Sequence, residues 1–364
     1  MKIYFYPHVY LRDRHLETVR RWPKNEVVNS ELALNRIGAQ VNSTKAIRVD
    51  AKINWKQVLP LINIKARPKL TPKEAIVYVW GGIIAQGLFI TDLDNPWSLV
   101  GYNTTAMTLY RHILRIILLS DRCLEIRCIS EACRQSMYLL FGKRVYEKSV
   151  LHYPKLQHLP SNYKKSSRQA SSSCKFLFIG TQFEIKGGRA LISAFRHVVD
   201  QCPNAELTLI THLSQEYLSE IKNIKNLKII SANVPAVKIR QEYMFEADVL
   251  VHPSFMESFG MVMLEALSEG LAIISSDVYA AHEMVENDLN GFLIKPPISA
   301  WQGYLPTSSF LVPALIKNLS KIDLENYAQA LAKAMITLSR DPQLLNNMKV
   351  NSRQLFQTRF SSKI

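Results

Sequence analysis

Apolar residues in this chain come in short runs that alternate with stretches of helical period. In the second half the runs fall at 175–179, 206–210, 227–231, 248–252, 271–275 and 292–294. Strand and helix alternating in this way imply a parallel sheet with helices on both faces. The first half repeats the pattern less cleanly, with strands expected at 2–6, 26–28, 76–80, 88–90, 125–129 and 149–153 and a helix ending over 33–38. Segment 130–142, SEACRQSMYLLFG, predicts a capped helix: Ser130 caps it, Cys133, Met137 and Leu140 share a face, and Gly142 stops it. The fold class expected is therefore α/β.

Two uncharged runs raise the question of a membrane span. The run 296–316 contains four prolines and several polar groups, which rule out a spanning helix. The run 75–91 has 17 residues, at the lower limit for a span, and Gly81-Gly82 would weaken it. Two buried strands joined by a glycine turn account for it better, and no transmembrane helix is expected. A chain of 364 residues suggests two domains. The polar, Ser-rich stretch 161–173, SNYKKSSRQASSS, is the expected linker. It leaves an N-terminal domain over 1–160, a second domain over 174–343 and a helical tail over 344–364. No internal repeat is visible.

Charge changes the picture because it is one-sided. Residues 1–170 hold 27 Lys and Arg against 12 Asp and Glu, whereas 171–364 hold 18 of each. The whole formal excess of +15 lies in the first half, which points to an anionic partner there. An anionic membrane surface is expected, met first by Arg12, Arg14, Arg20, Arg21 and Lys24 around Trp22. Arg111, Arg115 and Arg122 beside the apolar stretch 113–119 are the second choice. Nucleic acid is not expected, for no aromatic-basic motif accompanies the charge. Five irregularly spaced Cys fit buried thiols in a reducing cytoplasm. No leader is expected, since Met1-Lys2 runs directly into a strand.

The candidate chemistry sits in 247–295. An apolar strand ends at His252, a Pro-Ser turn follows, and then come Glu257, the turn Ser258-Phe259-Gly260 and a helix from Met261 that carries Glu265. Helix N-terminal amides favour phosphates, and carboxylates accept hydrogen bonds from sugar and ribose hydroxyls. The arrangement therefore suits a nucleotide sugar. Upstream, KFLFIGTQFEIKGG (175–188) is a strand followed by a glycine loop, in which Lys186 can place a cation on a diphosphate beside Gly187-Gly188. Asp92-x-Asp94 precedes Asn95-Pro96 and reads as a turn cap rather than a metal site. His112, His158 and His282 lack ligand spacing, and His252 is expected to pack against its turn.

These two blocks resemble the glycosyl transferases group 1 family of retaining enzymes with the GT-B fold. Its Glu-x7-Glu motif is met by Glu257 and Glu265. Its downstream pattern is met by Glu283, Asn290, Gly291, Phe292 and Leu293, while Tyr279 and Ala280 stand where the family has two glycines. The resemblance implies two Rossmann-like domains facing a cleft, and a tail folded back over the first. It implies a donor site from Gly180, Thr181, Lys186, Gly187, Ser258, Phe259, Gly260, Met261 and Glu265, with the base near Asn233 and Val234. Glu257 would hold the transferred sugar, Glu265 the ribose, and Lys186 the leaving diphosphate. No metal or other cofactor is implied, and Asp92 is placed on the acceptor side. Thr181 stands where relatives carry Arg, which leaves three readings open: Arg189 or a linker cation replaces it, donor affinity is lowered, or the enzyme is degenerate. The segment 296–322, with Trp301 and Tyr304, is an insertion relative to the family. The activity implied is transfer from a UDP- or GDP-sugar to a cell-envelope polysaccharide or lipid-linked acceptor, by an enzyme in the cytoplasm or at the inner membrane face. A non-catalytic nucleotide-sugar or glycan binding subunit is the alternative.

Overall fold

The computed structural model describes residues 1–7, 13–31, 59–69, 71–156 and 173–361. Arg12, His158, the helix end at 33–38 and all but the last residue of the expected linker lie outside them. The chain divides into two units, Met1–Lys155 and Leu156–Ile364, and each has its own parallel sheet.

In the first unit the strands are β1 (Ile3–Tyr6), β2 (Ile64–Lys65), β3 (Ile76–Trp80), β4 (Ile83–Ile84), β5 (Phe89–Leu93), β6 (Cys123–Cys128) and β7 (Ser149–Leu151). Five of them form a sheet in the order β1-β3-β5-β6-β7, and β2 pairs with β4 apart from it. Every residue of β3 and β5 is buried, and β3 reads as a continuous apolar run, whereas β5 carries Thr91 and Asp92. The run 75–91 proves to hold β3, the glycine turn, the short β4 and the start of β5. Gly81 and Gly82 take positive φ of 60° and 95°, which turns the chain into β4. The expected strand at 26–28 is reduced to one bridge between Ile3 and Val27.

Among the described residues, the α-helices of this unit are α1 (Asp13–Arg21), α2 (Thr104–Leu119), α3 (Glu131–Phe141) and α4 (Lys143–Lys148). α3 is the capped helix expected: Ser130 Oγ accepts from the Cys133 amide at 3.0 Å, and Gly142 ends it at φ 83°. Cys123, Cys128 and Cys133 are buried free thiols. Ile3, Phe5, Leu16, Tyr78, Trp80 and Ile90 form a core between α1 and the sheet.

The second unit contains β8 (Lys175–Gly180), β9 (Glu206–Thr211), β10 (Leu227–Ser231), β11 (Val249–His252), β12 (Ala272–Ser276), β13 (Gly291–Ile294), β14 (Trp301–Gln302) and β15 (Leu305–Pro306). The first six form one sheet in the order β10-β9-β8-β11-β12-β13, every pair parallel. The chain builds outward from β8 in one direction, then returns and builds outward from β11 in the other. That reversal makes β8/β11 the topological switch point, where open α/β sheets leave a crevice beyond the strand ends.

Helices α5 (Gly188–Gln201), α6 (Gln215–Ile221), α7 (Met261–Glu269), α8 (Val312–Leu319), α9 (Glu325–Arg340) and α10 (Pro342–Leu355) complete it. α9 packs on α5 over a core that includes Phe178, Leu191, Phe195, Val249, Leu331 and Met335. The insertion 296–322 folds into the antiparallel hairpin β14–β15 and α8. The described part of the tail packs on α7 and β12. There the Phe360 ring meets Phe259 edge-on at 6.4 Å.

Candidate functional site

β8 and β11 are neighbours, so the loops beyond their C-terminal ends lie side by side. The loop after β8 is held by its own apolar residues: Phe183 and Ile185 are buried, and the Phe255 amide donates to the Ile185 carbonyl at 2.9 Å. Gly187 takes φ 77°, and a Cβ there would strike the Pro253 carbonyl of the adjoining loop. A side chain would therefore force the loops apart.

The close approach brings Lys186 onto Glu257. Lys186 Nζ lies 2.7 Å from Glu257 Oε2 and 3.3 Å from the Met256 carbonyl, with 22% of each side chain exposed. His252, the last residue of β11, joins from beneath: its Nε2 is 3.2 Å from the same carboxylate oxygen. Its Nδ1 is buried with no partner among the described residues. A neutral ring with its proton on Nε2, donating to Glu257, satisfies this geometry.

The charges of the three groups follow from their surroundings. Burial pushes the Glu257 carboxyl up, but Lys186 and the bond from His252 outweigh burial and hold it well below the usual carboxylate range. Burial pushes the His252 imidazole down; Glu257 opposes that shift and Lys186 adds to it. The outcome is an ammonium and a carboxylate in contact, with a neutral imidazole behind them. His252 is thus more than a packed side chain, and sequence spacing offered one hint: it ends the strand from which Glu257 emerges.

Two helices start at this edge without a side-chain cap. α5 begins after Gly187 and α7 after Gly260, itself at φ 89°. Uncapped first-turn amides and the dipole make such ends receptive to anions. Ser258 and Phe259 shape the turn between Glu257 and α7, the Ser258 amide lying 3.3 Å from Glu257 Oε1 and Phe259 being buried. Met261 opens α7, and Glu265 sits one turn further along, half-buried. Thr181 is exposed. Arg189, one candidate to replace the missing cation, is engaged elsewhere: it pairs with Glu184 at 2.7 Å and lies over the Tyr217 ring at 4.6 Å. Asn233 and Val234 follow β10, two strand spacings or roughly 10 Å from β8.

Asp92 is not a turn cap. It lies inside β5, 3% exposed, and accepts from Arg14 Nη1 at 2.8 Å and the Tyr78 hydroxyl at 2.7 Å. The pairing keeps the strand going past the point where a lone carboxylate would end it. The cap role belongs to Asn95, which accepts from the Trp97 amide at 3.0 Å. Among the described residues, no group of three or more His, Cys, Asp or Glu is placed to hold a metal ion.

Comparison with known proteins bears on the same stretch. Residues 161–304 match the family model described as Glycosyl transferases group 1. The uncharacterized glycosyltransferase MJ1607 of Methanocaldococcus jannaschii is 27% identical over 139 residues, 37% of this chain and 35% of the relative. The chain thus spans about a third of that relative's length. Among solved structures it is similar to Anabaena Alr3699/HepE in complex with UDP-glucose, with TM-score 0.54, 16% identity and coverage of 79% of this chain and 74% of that one. WaaG, a glycosyltransferase involved in lipopolysaccharide biosynthesis, follows at TM-score 0.52, 16% identity and coverage of 78% and 74%. S. aureus TarM in complex with Fondaparinux, alpha-GlcNAc-glycerol and UDP has TM-score 0.53, 13% identity and coverage of 79% and 53%. At these identities the likeness shows the fold alone. The stretch around Lys186 and Glu257 therefore matches the Glycosyl transferases group 1 model, in a chain whose α/β fold is that of the GT-B glycosyltransferases.

Proposed function

We propose that the protein transfers a sugar, with retention of configuration, from a nucleotide-diphosphate donor to a glycan or lipid-linked acceptor of the cell envelope. The observation that carries this reading is the Lys186–Glu257 contact at the switch point, beside the uncapped starts of α5 and α7. The donor diphosphate would take the Lys186 ammonium and the α7 amides, which neutralise charge developing on the leaving group. Glu257, released from Lys186, would accept from hydroxyls of the transferred sugar, steadied by His252. Glu265 on α7 would take the ribose hydroxyls, and Asn233 and Val234 the base. The reaction needs no protein nucleophile and no metal ion; chelation with EDTA should leave the rate unchanged.

Uridine is the nucleotide to test first, because UDP or UDP-glucose occupies two of the structural relatives. A thermal-shift series with UDP-, GDP- and ADP-sugars tests the reading, since a ligand that binds only the folded chain raises the melting temperature. One nucleotide class should stand out. A flat response to all three would overturn the proposal.

A membrane-borne acceptor draws support from α2. Leu109, Ile113 and Ile116 stand 59%, 48% and 70% exposed at i, i+4 and i+7, with exposed Arg111 beside them. The first-choice cluster fares less well. Arg14 is half-buried and paired with Asp92, and Trp22 is packed edge-on against Phe5 and Tyr78. Arg20 pairs with Glu17, and Arg12 lies outside the described residues. Among the described residues no helix is long and apolar enough to cross a membrane. Peripheral docking through α2 is the form of membrane contact proposed.

A further inference from the structure

The donor assignments leave a second recess unused, of about 930 Å³, where the insertion 296–322 folds over the ends of β12 and β13. Its volume lies within the range of about 300–1,000 Å³ common to small-molecule sites. Asp277 directly follows β12 and Lys295 directly follows β13. Both strands run parallel to β11, so the recess opens at the same sheet edge as Glu257. It is also fastened to the Glu257 loop: the Ala300 amide donates to the Phe255 carbonyl at 2.9 Å, two residues before Glu257.

One wall of the recess is aromatic. Tyr279, at φ 51°, keeps a left-handed backbone that suits the glycine of the family pattern, yet it carries a ring. That ring stacks on Trp301 of β14 at 4.0 Å and 22°, and Trp301 meets Phe310 edge-on at 5.0 Å. Around the opening stand Gln302, Tyr304, Thr307, Ser308, Asn318 and Lys321. Charge is mixed there, with Asp277 set against Lys295 and Lys321. Amides and hydroxyls beside aromatic rings, with no dominant sign of charge, match a ligand that is rich in hydroxyls, neutral, and apolar on its C–H faces.

We propose that this recess is a saccharide subsite, taking sugar units of the acceptor glycan that lie beyond the one receiving the transferred residue. The word acceptor rests on the glycosyltransferase reading; the saccharide site itself does not. The full chain is to be measured on an array of neutral and anionic oligosaccharides without nucleotide, beside the double variant Gln302→Ala/Tyr304→Ala and the variant Ser308→Trp. Gln302 and Ser308 are exposed, and the indole of Ser308→Trp would narrow the opening. Both variants should bind glycan at least tenfold more weakly and keep the thermal shift caused by the nucleotide sugar. If loss of Tyr304 lowers the melting temperature, Ser308→Trp alone decides. Should no nucleotide sugar shift the melting temperature while glycan binding still falls in the variants, the recess stands and the transferase reading fails. Equal glycan binding by wild type and variants, or a wild type that holds no glycan, overturns the subsite.

Discussion

Glu257 is pulled by two neighbours, and each makes a testable claim. Glu257→Gln keeps the size but gives up charge-assisted hydrogen bonds, which are roughly twice as strong as neutral ones. Turnover should fall at least about tenfold, equivalent to ~1.4 kcal/mol, while nucleotide affinity changes little. Glu265→Gln should do the reverse and chiefly raise the donor Kd. Wild-type rates from both variants would remove Glu257 from the proposed chemistry. His252 makes a claim about pH. Folding holds its imidazole below the ordinary value of 6.5, so the unfolded chain binds the extra proton as pH drops past that value. Stability therefore falls on acidification from about pH 6.5 downward. His152 is shifted the same way, so His252→Gln should flatten the dependence only in part. Melting temperatures across this window decide it: an unchanged slope would show that His252 is not held neutral. Glu257 contributes in a lower window: its stabilisation declines from about pH 4.5 downward and is gone once pH falls below the depressed folded value.

At the scale of elements, glycines separate backbone need from crowding. Gly142 ends α3 at φ 83° with open space around its Cβ position, whereas Gly187 combines φ 77° with the Pro253 carbonyl in the way. Gly142→Ala should cost about 1–3 kcal/mol, the penalty of a positive-φ backbone essentially reserved for glycine and nothing more. Gly187→Ala should cost more and also weaken donor binding, since it parts the loops that bring Lys186 to Glu257. Urea unfolding of the two variants ranks them, and equal costs would contradict the crowding argument. Strands of the second unit were legible almost to the residue, because parallel strands buried on both faces read as unbroken apolar runs. Apolar pattern alone ends β5 at residue 90, whereas the strand runs on to Leu93. Asp92 looks like a strand end until Arg14, 78 positions earlier, is seen to neutralise it. Likewise 26–28 has strand composition, yet it contributes one bridge at the edge of β1.

For the whole molecule, the charge excess on residues 1–170 survives as a property of the chain, but the structure changes which residues express it. Arg14 is paired with Asp92, whereas Arg115 and Arg122 stay exposed and charged while donating to the carbonyls of Phe141, Ile84 and Gly87. In the proposed membrane contact, the apolar stripe of α2 and the exposed arginines beside it would form the docking element. The full chain should pellet with anionic but not neutral vesicles, and high salt should release it. Leu109→Glu/Ile116→Glu should abolish pelleting and leave the melting temperature within a degree or so, because both side chains are exposed. Pelleting that survives the double variant would move the contact away from α2.

The sequence alone determined the α/β class, the six strands of the second unit, the capped α3 and the location of Lys186, Glu257 and the glycine turns. All of these are written in local periodicity and spacing, which a linear chain displays directly. Only the tertiary structure decided what depends on residues distant in sequence. The strand order sets β8 beside β11 and so closes 71 positions into one ion pair. Burial and an unpartnered Nδ1 turn His252 into a donor. Tyr279 finds Trp301, and Arg14 finds Asp92. Such pairings follow from which strands become neighbours and which charges are drawn out of water together, and neither is visible in the order of residues along a chain.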